Sequence, residues 1–138
     1  MEKVKRFGVS IEESLLSKFD TFIKERKYKN RSEAIRDLIR ENFVNDSWEK
    51  SNRVVAGAII IVYDHHKREL LDNLVDIQHD YQDLIISSQH IHLDHHNCME
   101  IIVVKGKMQK LFELEAILKS IKGVKHTTFA KSTLGEEL

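Results

Sequence analysis

The chain has 138 residues, room for one ordinary domain or two small ones. Its 41% hydrophobic and 32% charged content excludes a disordered polymer, and its single cysteine excludes an internal disulfide framework and suits a reducing compartment. Lysine plus arginine and aspartate plus glutamate both number 22, so no global basic charge announces nucleic acid, and DNA contact has to come from a local patch.

The chain opens Met-Glu-Lys-Val-Lys-Arg-Phe, with no apolar core behind the charges, so no signal peptide is expected and the protein is read as cytoplasmic. From Lys5 to Ile11 the residues alternate. Phe7, Val9 and Ile11 share one face and Arg6, Gly8 and Ser10 the other, the pattern of a short strand. Ser10 and Glu13 have the spacing of a capping box. Leu15, Leu16, Phe19, Phe22 and Ile23 then form a helical stripe that stops near Lys27-Tyr28-Lys29. Asn30 can cap a second helix with Glu33 at its third position, and Ala34, Ile35, Leu38, Ile39 and Phe43 carry an apolar stripe onward to about Trp48. A lone strand leaves its backbone groups unpaired, and about 45 residues bury too little surface to fold unaided. Dimerisation cures both defects, with two strands paired into a ribbon and four helices forming the core.

Such a ribbon can enter the DNA major groove. Its outward face is Arg6, Gly8 and Ser10, flanked by Lys3 and Lys5. Arg6 suits a bidentate contact with guanine, worth about 1–3 kcal/mol of discrimination. Asn30-Arg31-Ser32 sits at a helix N-terminus, where backbone N–H groups can grip phosphates, and Lys24 to Arg31 is locally basic. A charge run of this kind is ordinarily a solvated face; the short strand before two helices favours DNA here.

Ser47 to Arg53 is polar and reads as a linker, giving a first domain at 1–48, a linker at 49–53 and a second domain at 54–138. The run Val54 to Tyr63 is too short to span a bilayer and reads as a buried strand. His66 to about Tyr81 reads as a helix, Leu84 to Leu93 and Cys98 to Val104 as strands, with Gly106 breaking the second. Met108 to Ser120 reads as a helix ended by Gly123, and Val124 to Ser132 as the last strand. The order β-α-β-β-α-β is the ferredoxin-like split unit, so the fold class is α+β. In the first of these helices Leu70, Leu74, Ile77 and Tyr81 form the stripe expected to cover the sheet. Leu71, Val75 and His79 form a neighbouring one, either an interface with another subunit or the rim of one wide apolar face.

The stretch His90-Ile91-His92-Leu93-Asp94-His95-His96-Asn97-Cys98 puts four of the eight histidines and the only cysteine within nine residues. On a strand His90 and His92 leave the same face, and Cys98 follows after a short bend. Imidazoles with a thiolate suit zinc, nickel or copper rather than magnesium or calcium. A lone His-x-His would be a polar turn; the nearby cysteine and further histidines make it a metal motif. The fourth donor is open among His95, His96 and His79, and spacing is equally compatible with a tetrahedral zinc site and a square-planar nickel or copper site. No phosphate loop, nucleophile elbow or His-Glu-x-x-His is present, so no enzyme is expected.

Taken together, Asn30-Arg31-Ser32-Glu33-Ala34-Ile35-Arg36-Asp37, Asp76-Ile77-Gln78-His79, the stretch His90 to Glu100, Val103-Val104-Lys105-Gly106 and Lys122-Gly123-Val124-Lys125-His126 resemble landmarks of the nickel-responsive ribbon-helix-helix repressors of the NikR type, over nearly the whole chain. The resemblance implies an ACT-like second domain and a homotetramer, a dimer of dimers. It implies one square-planar Ni(II) per subunit, bound by His90, His92 and Cys98 of one subunit and His79 of another. Tyr63, Gln78 and Glu100 are then candidates to support the ligands. It further implies a palindromic operator, repression of nickel-uptake genes, and DNA contacts from Lys5, Arg6, Gly8, Ser10, Asn30, Arg31, Ser32, Lys67 and Arg68. Glu33 and Asp37 are implied as holders of a second, hard cation, K+ or similar.

The chain departs from the family pattern twice. Gly8 stands where Ser or Thr is usual, and offers no side chain to a base. His95 stands where an acidic residue is common; with His65, His66 and His96 it makes either weaker metal sites or a histidine-rich surface. Three competing readings have their own signatures. A regulator answering a small organic effector would tolerate Cys98→Ala. A metallochaperone would bind nickel but show no salt-dependent DNA affinity. A metal-dependent enzyme would show an exchangeable water on the metal.

Overall fold

The structure, a computed structural model, describes residues 2–49 and 53–136. Among them the chain forms α1 (Glu13–Glu25), α2 (Arg31–Glu49), β1 (Val54–Asp64), α3 (Arg68–Asp80), β2 (Ile85–His92), β3 (Asn97–Lys107), α4 (Met108–Ser120) and β4 (Val124–Lys131). Two compact units divide between Glu41 and Asn42, so α2 begins in the first and ends in the second. No helix among the described residues is long and apolar enough to cross a membrane.

In the first unit the expected strand over 5–11 does not form. Residues 2–12 are irregular and exposed. Strand backbone groups need a partner, and within one copy the alternating segment has none. The Ser10–Glu13 capping box is also absent: α1 starts at Glu13 after an extended Glu12 that makes no side-chain cap. The second expected cap does form, with the Glu33 N–H donating to Asn30 Oδ1 at 2.9 Å. α1 buries Ile23 and α2 buries Ala34, while Phe7, Val9, Leu15, Leu38 and Ile39 stay exposed. That apolar surface is what the stripes in the sequence would present to a second copy.

The second unit is a four-stranded antiparallel sheet in the order β2-β3-β1-β4. β1 is covered on one face only. Its buried residues alternate with half-buried ones, whereas the continuous β-branched run suggested burial on both sides. Val55, Ile59, Ile61 and Tyr63 of β1 meet Cys98, Ile102 and Val104 of β3 under Leu70 and Leu74 of α3 and Leu111, Leu114 and Leu118 of α4. On α3 Ile77 is half-buried, as is Tyr81 just past its end, and Leu71 of the second stripe also packs on the core, while Val75 and His79 are exposed. Only the outer part of the second stripe faces away from the core.

Gly106 does not break β3, which runs on to Lys107. It makes room instead: a Cβ there would sit 2.5 Å from Leu84 Cδ2. Gly123 does turn the chain between α4 and β4, with φ at +103°. The expected polar linker proves to be partly core. α2 continues to Glu49, and Trp48 stands edge-on to Phe129 with ring centroids 4.8 Å apart and donates its indole N–H to the Ser132 carbonyl. Gly57 lies beneath it, where a Cβ would come within 3.3 Å of the indole. Residues 50–52 of that linker lie outside the described residues.

Candidate metal centre

The sheet register assembles the site. Tyr63 pairs with Cys98 across β1 and β3, and Cys98 pairs with His92 across β3 and β2. Two pairs along, Ile61 faces Glu100 and Glu100 faces His90. Because side chains two apart share a face, Tyr63, Cys98, Glu100, His90 and His92 all project on the helix-covered side. Cys98 and Glu100 are buried by that cover; β2 is an edge strand, so both histidines remain exposed.

The closest donors are Cys98 Sγ and His92 Nδ1, 3.4 Å apart. His65 joins them, and one donor atom from each of His65, His92 and Cys98 lies within 4.8 Å of the others. His90 is turned differently. Its Nδ1 meets the Tyr63 hydroxyl at 2.9 Å and lies 3.9 Å from Glu100 Oε1, leaving Nε2 as its outward nitrogen. Gln78 Nε2 donates to Glu100 Oε2 at 2.6 Å, so α3 holds the carboxylate from the residue next to His79. His79 itself is exposed and lies outside the three-donor cluster.

The electrostatics follow from burial. The Cys98 thiol is pushed up, first by desolvation and then by Asp94, Asp64 and Glu100. Desolvation also raises Glu100, against the pull of Gln78 and His90. Tyr63 is raised by burial and by the neighbouring Glu100 and Cys98, so its hydroxyl keeps its proton at neutral pH. His65 is lowered by burial and by His66 and His92, and its buried Nδ1 has no hydrogen-bond partner among the described residues. The His92 imidazole, the Cys98 thiol and the unpartnered His65 nitrogen gathered together make a donor set that fits a borderline-soft metal ion.

His65, expected only in a weaker site or a histidine-rich surface, stands instead in the main cluster, and the signal for that was in the strand period. It lies two residues beyond Tyr63, and its N–H donates to the His96 carbonyl at 3.0 Å, extending the β1–β3 ladder past Asp64. Continuing the alternation by one step puts its ring on the face of Cys98. His66, His95 and His96 gather at the same end: the rings of His65 and His66 lie 4.1 Å apart, those of His66 and His96 5.4 Å apart, and His66 Nε2 meets the His95 carbonyl at 2.7 Å.

The residues expected to face DNA are dispersed. Lys5, Arg6, Gly8 and Ser10 lie on the irregular arm, and space around Gly8 is open. Asn30 caps α2 and Ser32 is exposed, whereas Arg31 makes two hydrogen bonds to Asp20. Lys67 and Arg68 are exposed where α3 begins. Of the two residues expected at a second cation, Glu33 is half-buried and Asp37 accepts a hydrogen bond from the Tyr28 hydroxyl.

A split β-α-β-β-α-β unit carrying soft donors, behind two helices with an alternating N-terminal arm, is the layout of a metal-binding DNA regulator. Residues 56–131 match the family described as the NikR C-terminal nickel-binding domain, and residues 5–42 match the ribbon-helix-helix proteins of the copG family. Proteins provisionally named nickel-responsive regulators from Syntrophus aciditrophicus and Thermococcus onnurineus are 52% and 51% identical to this chain over 136 residues, covering 99% of it and 98% and 99% of their own lengths. One from Chlorobium limicola is 52% identical over 135 residues, covering 98% of this chain and all of its own. Among solved structures, an uncharacterized protein of Thermotoga maritima superposes with a TM-score of 0.53 at 14% identity, over 57% of this chain and 98% of that one, a likeness of fold alone. The chain belongs to the nickel-responsive regulator family, with an N-terminal ribbon-helix-helix DNA-binding domain and a C-terminal nickel-binding domain. It is a regulator, not an enzyme.

Proposed function

We propose that the protein is a nickel-dependent transcriptional repressor of nickel-uptake genes, acting in the cytoplasm as a homotetramer on a palindromic operator. Residues 1–48 read DNA, 49–53 link, and 54–138 bind metal and tetramerise. One Ni(II) per subunit is held by His90, His92 and Cys98 of one copy and His79 of another. The observation that carries this reading is the register that sets His92 against Cys98, with Sγ 3.4 Å from Nδ1, and His90 one same-face step along the strand. The exposure of His79 on the outer stripe of α3, beside the exposed Val75, supports its use by a neighbouring copy.

When bound, nickel would supply a link between subunits and so bias how the DNA-binding dimers are presented. The chain's own residues prepare for it. Tyr63 and Glu100 fix the His90 ring through its Nδ1, so Nε2 is the nitrogen it would offer a metal. Cys98 is a raised thiol, so it gives up its proton when metal binds, and nickel affinity falls as the pH drops. Lys5, Arg6 and Ser10 meet the major groove once two arms pair, Asn30 and Ser32 present the start of α2 to the backbone, and Lys67 and Arg68 add contacts from the second domain. Glu33 and Asp37, one helical turn apart on α2, hold a hard cation such as K+.

The test is a nickel(II) titration of the apo-protein followed by ultraviolet–visible spectroscopy, with His79→Ala alongside. A saturating thiolate-to-nickel band, altered in the variant, is expected. Selection of random duplexes with and without nickel should enrich a palindrome only with the metal. No band, or a variant identical to wild type, would overturn the ligand set.

A further inference from the structure

We propose that Arg31 is a positioning residue of the DNA-binding unit: its guanidinium works on Asp20, setting the angle at which α2 leaves α1, and not on a DNA phosphate. The proposal rests on the reading of the protein as a nickel-dependent DNA-binding regulator and replaces the DNA contact that the family resemblance implies for Arg31.

The geometry is specific. Arg31 Nε donates to Asp20 Oδ1 and Nη2 to Asp20 Oδ2, both at 2.9 Å. These are parallel bonds from one edge of the guanidinium to both carboxylate oxygens, the arrangement an arginine would use to clasp a phosphate in two places. That edge is occupied. Asp20 lies on α1 and Arg31 is the first residue of α2, so the pair bridges the two helices across the turn between them. Asn30, whose side chain accepts the Glu33 N–H, caps the start of α2 beside this pair.

Charge tells the same story. An arginine aimed at a phosphate is better without a carboxylate beside it, because the carboxylate cancels its attraction and repels the phosphate. Here the carboxylate is fully engaged: the hydrogen bond from Arg31 holds Asp20 below the usual carboxylate range. The pair is therefore neutral as a unit and adds nothing to the counterion release that governs DNA affinity, in which each neutralised phosphate contributes roughly 0.9 to the slope of log K against log salt. Both side chains are about half exposed, so the pair matters less for overall stability than for the orientation of α2 against α1.

Nickel-loaded full-length wild type, Asp20→Ala, Arg31→Ala, the double variant and Arg6→Ala are titrated against a duplex selected by wild type, over a series of KCl concentrations. If Arg31 positions, Asp20→Ala and Arg31→Ala each weaken binding by about three- to tenfold, and the double variant is no weaker than either single. Their salt slopes match wild type and their nickel titrations are unchanged. Arg6→Ala, by contrast, loses affinity through a direct contact. Should Asp20→Ala fail to fold, Asp20→Asn carries the same expectation. The proposal is overturned if removing the Asp20 charge tightens DNA binding, or if Arg31→Ala lowers the salt slope by about one per contact. A wild type that binds no duplex with nickel sinks the regulatory reading itself, an outcome distinct from variants that bind with the wrong sign.

Discussion

Lys27 is the described non-glycine residue with a positive φ, 61°, in the turn that closes α1. The Tyr28 N–H reaches back to the Ile23 carbonyl at 3.0 Å, and that closure requires a left-handed residue before it. Such a conformation costs a side chain about 1–2 kcal/mol, while glycine loses about 0.5–1 kcal/mol more chain entropy. Lys27→Gly is therefore expected to stabilise the fold by roughly 0.5–1 kcal/mol in denaturant titrations; a loss of stability would mean that the lysine does something more at this turn. The sequence showed this turn only as an end to an apolar stripe. It was more informative at Asn30, whose cap formed as expected, than at Ser10, whose box did not. The difference is context: Asn30 follows an ordered turn, whereas Ser10 lies in an arm with no partner to hold it. His65 was read only as part of a weaker site because it stands outside the dense His90–Cys98 stretch and becomes a neighbour of Cys98 only through the β1–β3 register.

At the scale of elements, the bend between β2 and β3 brings Cys98 back to His92. Asp94 shapes it, with Oδ1 accepting the N–H groups of His96 and Asn97, each at 2.8 Å. These bonds, with the Asn97 side chain, lower the Asp94 carboxyl to about 2. A depressed acid contributes stability that is present above its unfolded value of about 3.9 and lost as pH falls through the folded one. The denaturation midpoint of wild type should thus fall more between about pH 5 and pH 2 than that of Asp94→Ala; parallel curves would show that the bend does not depend on this carboxylate. The far end of the same unit depends on Trp48, buried among Phe112, Phe129 and Gly57. Trp48→Ala is expected to cost about 3–5 kcal/mol, by analogy with other large-to-small core changes, and a cost under about 1 kcal/mol in chemical denaturation would mean that the indole is not a core anchor. Its role was hidden in the sequence because the surrounding residues are polar. Ser47 and Glu49 made the stretch look like a linker, when the helix carries one large side chain inward. Gly106 misled in the opposite sense, since a glycine in a strand can admit a neighbour as well as end the element.

Over the whole molecule, the order of helices and strands was legible because 3.6- and 2-residue periods mark which faces are buried. The pairing of those strands was not, and it is the pairing that gathers the donors. The expected ribbon shows the limit most clearly: seven alternating residues form no strand within one copy, and the proposed assembly would have to supply the missing hydrogen bonds. The same dependence gives the assembled protein its sharpest prediction. If nickel binding and operator binding both favour one arrangement of the subunits, each must strengthen the other by the same factor, because the two orders of assembly form a closed cycle. Nickel affinity measured with and without the selected duplex, and duplex affinity measured with and without nickel, should therefore give equal ratios, about 5–150-fold for a coupling of 1–3 kcal/mol. On the proposed ligand set, His79→Ala should bring both ratios toward unity together, since a copy lacking that donor would still offer His90, His92 and Cys98 but no bond to its neighbour. A variant that bound nickel weakly yet kept full nickel-dependent gain in DNA affinity would show that the signal passes through one subunit's own sheet, and that the cross-subunit bond is dispensable.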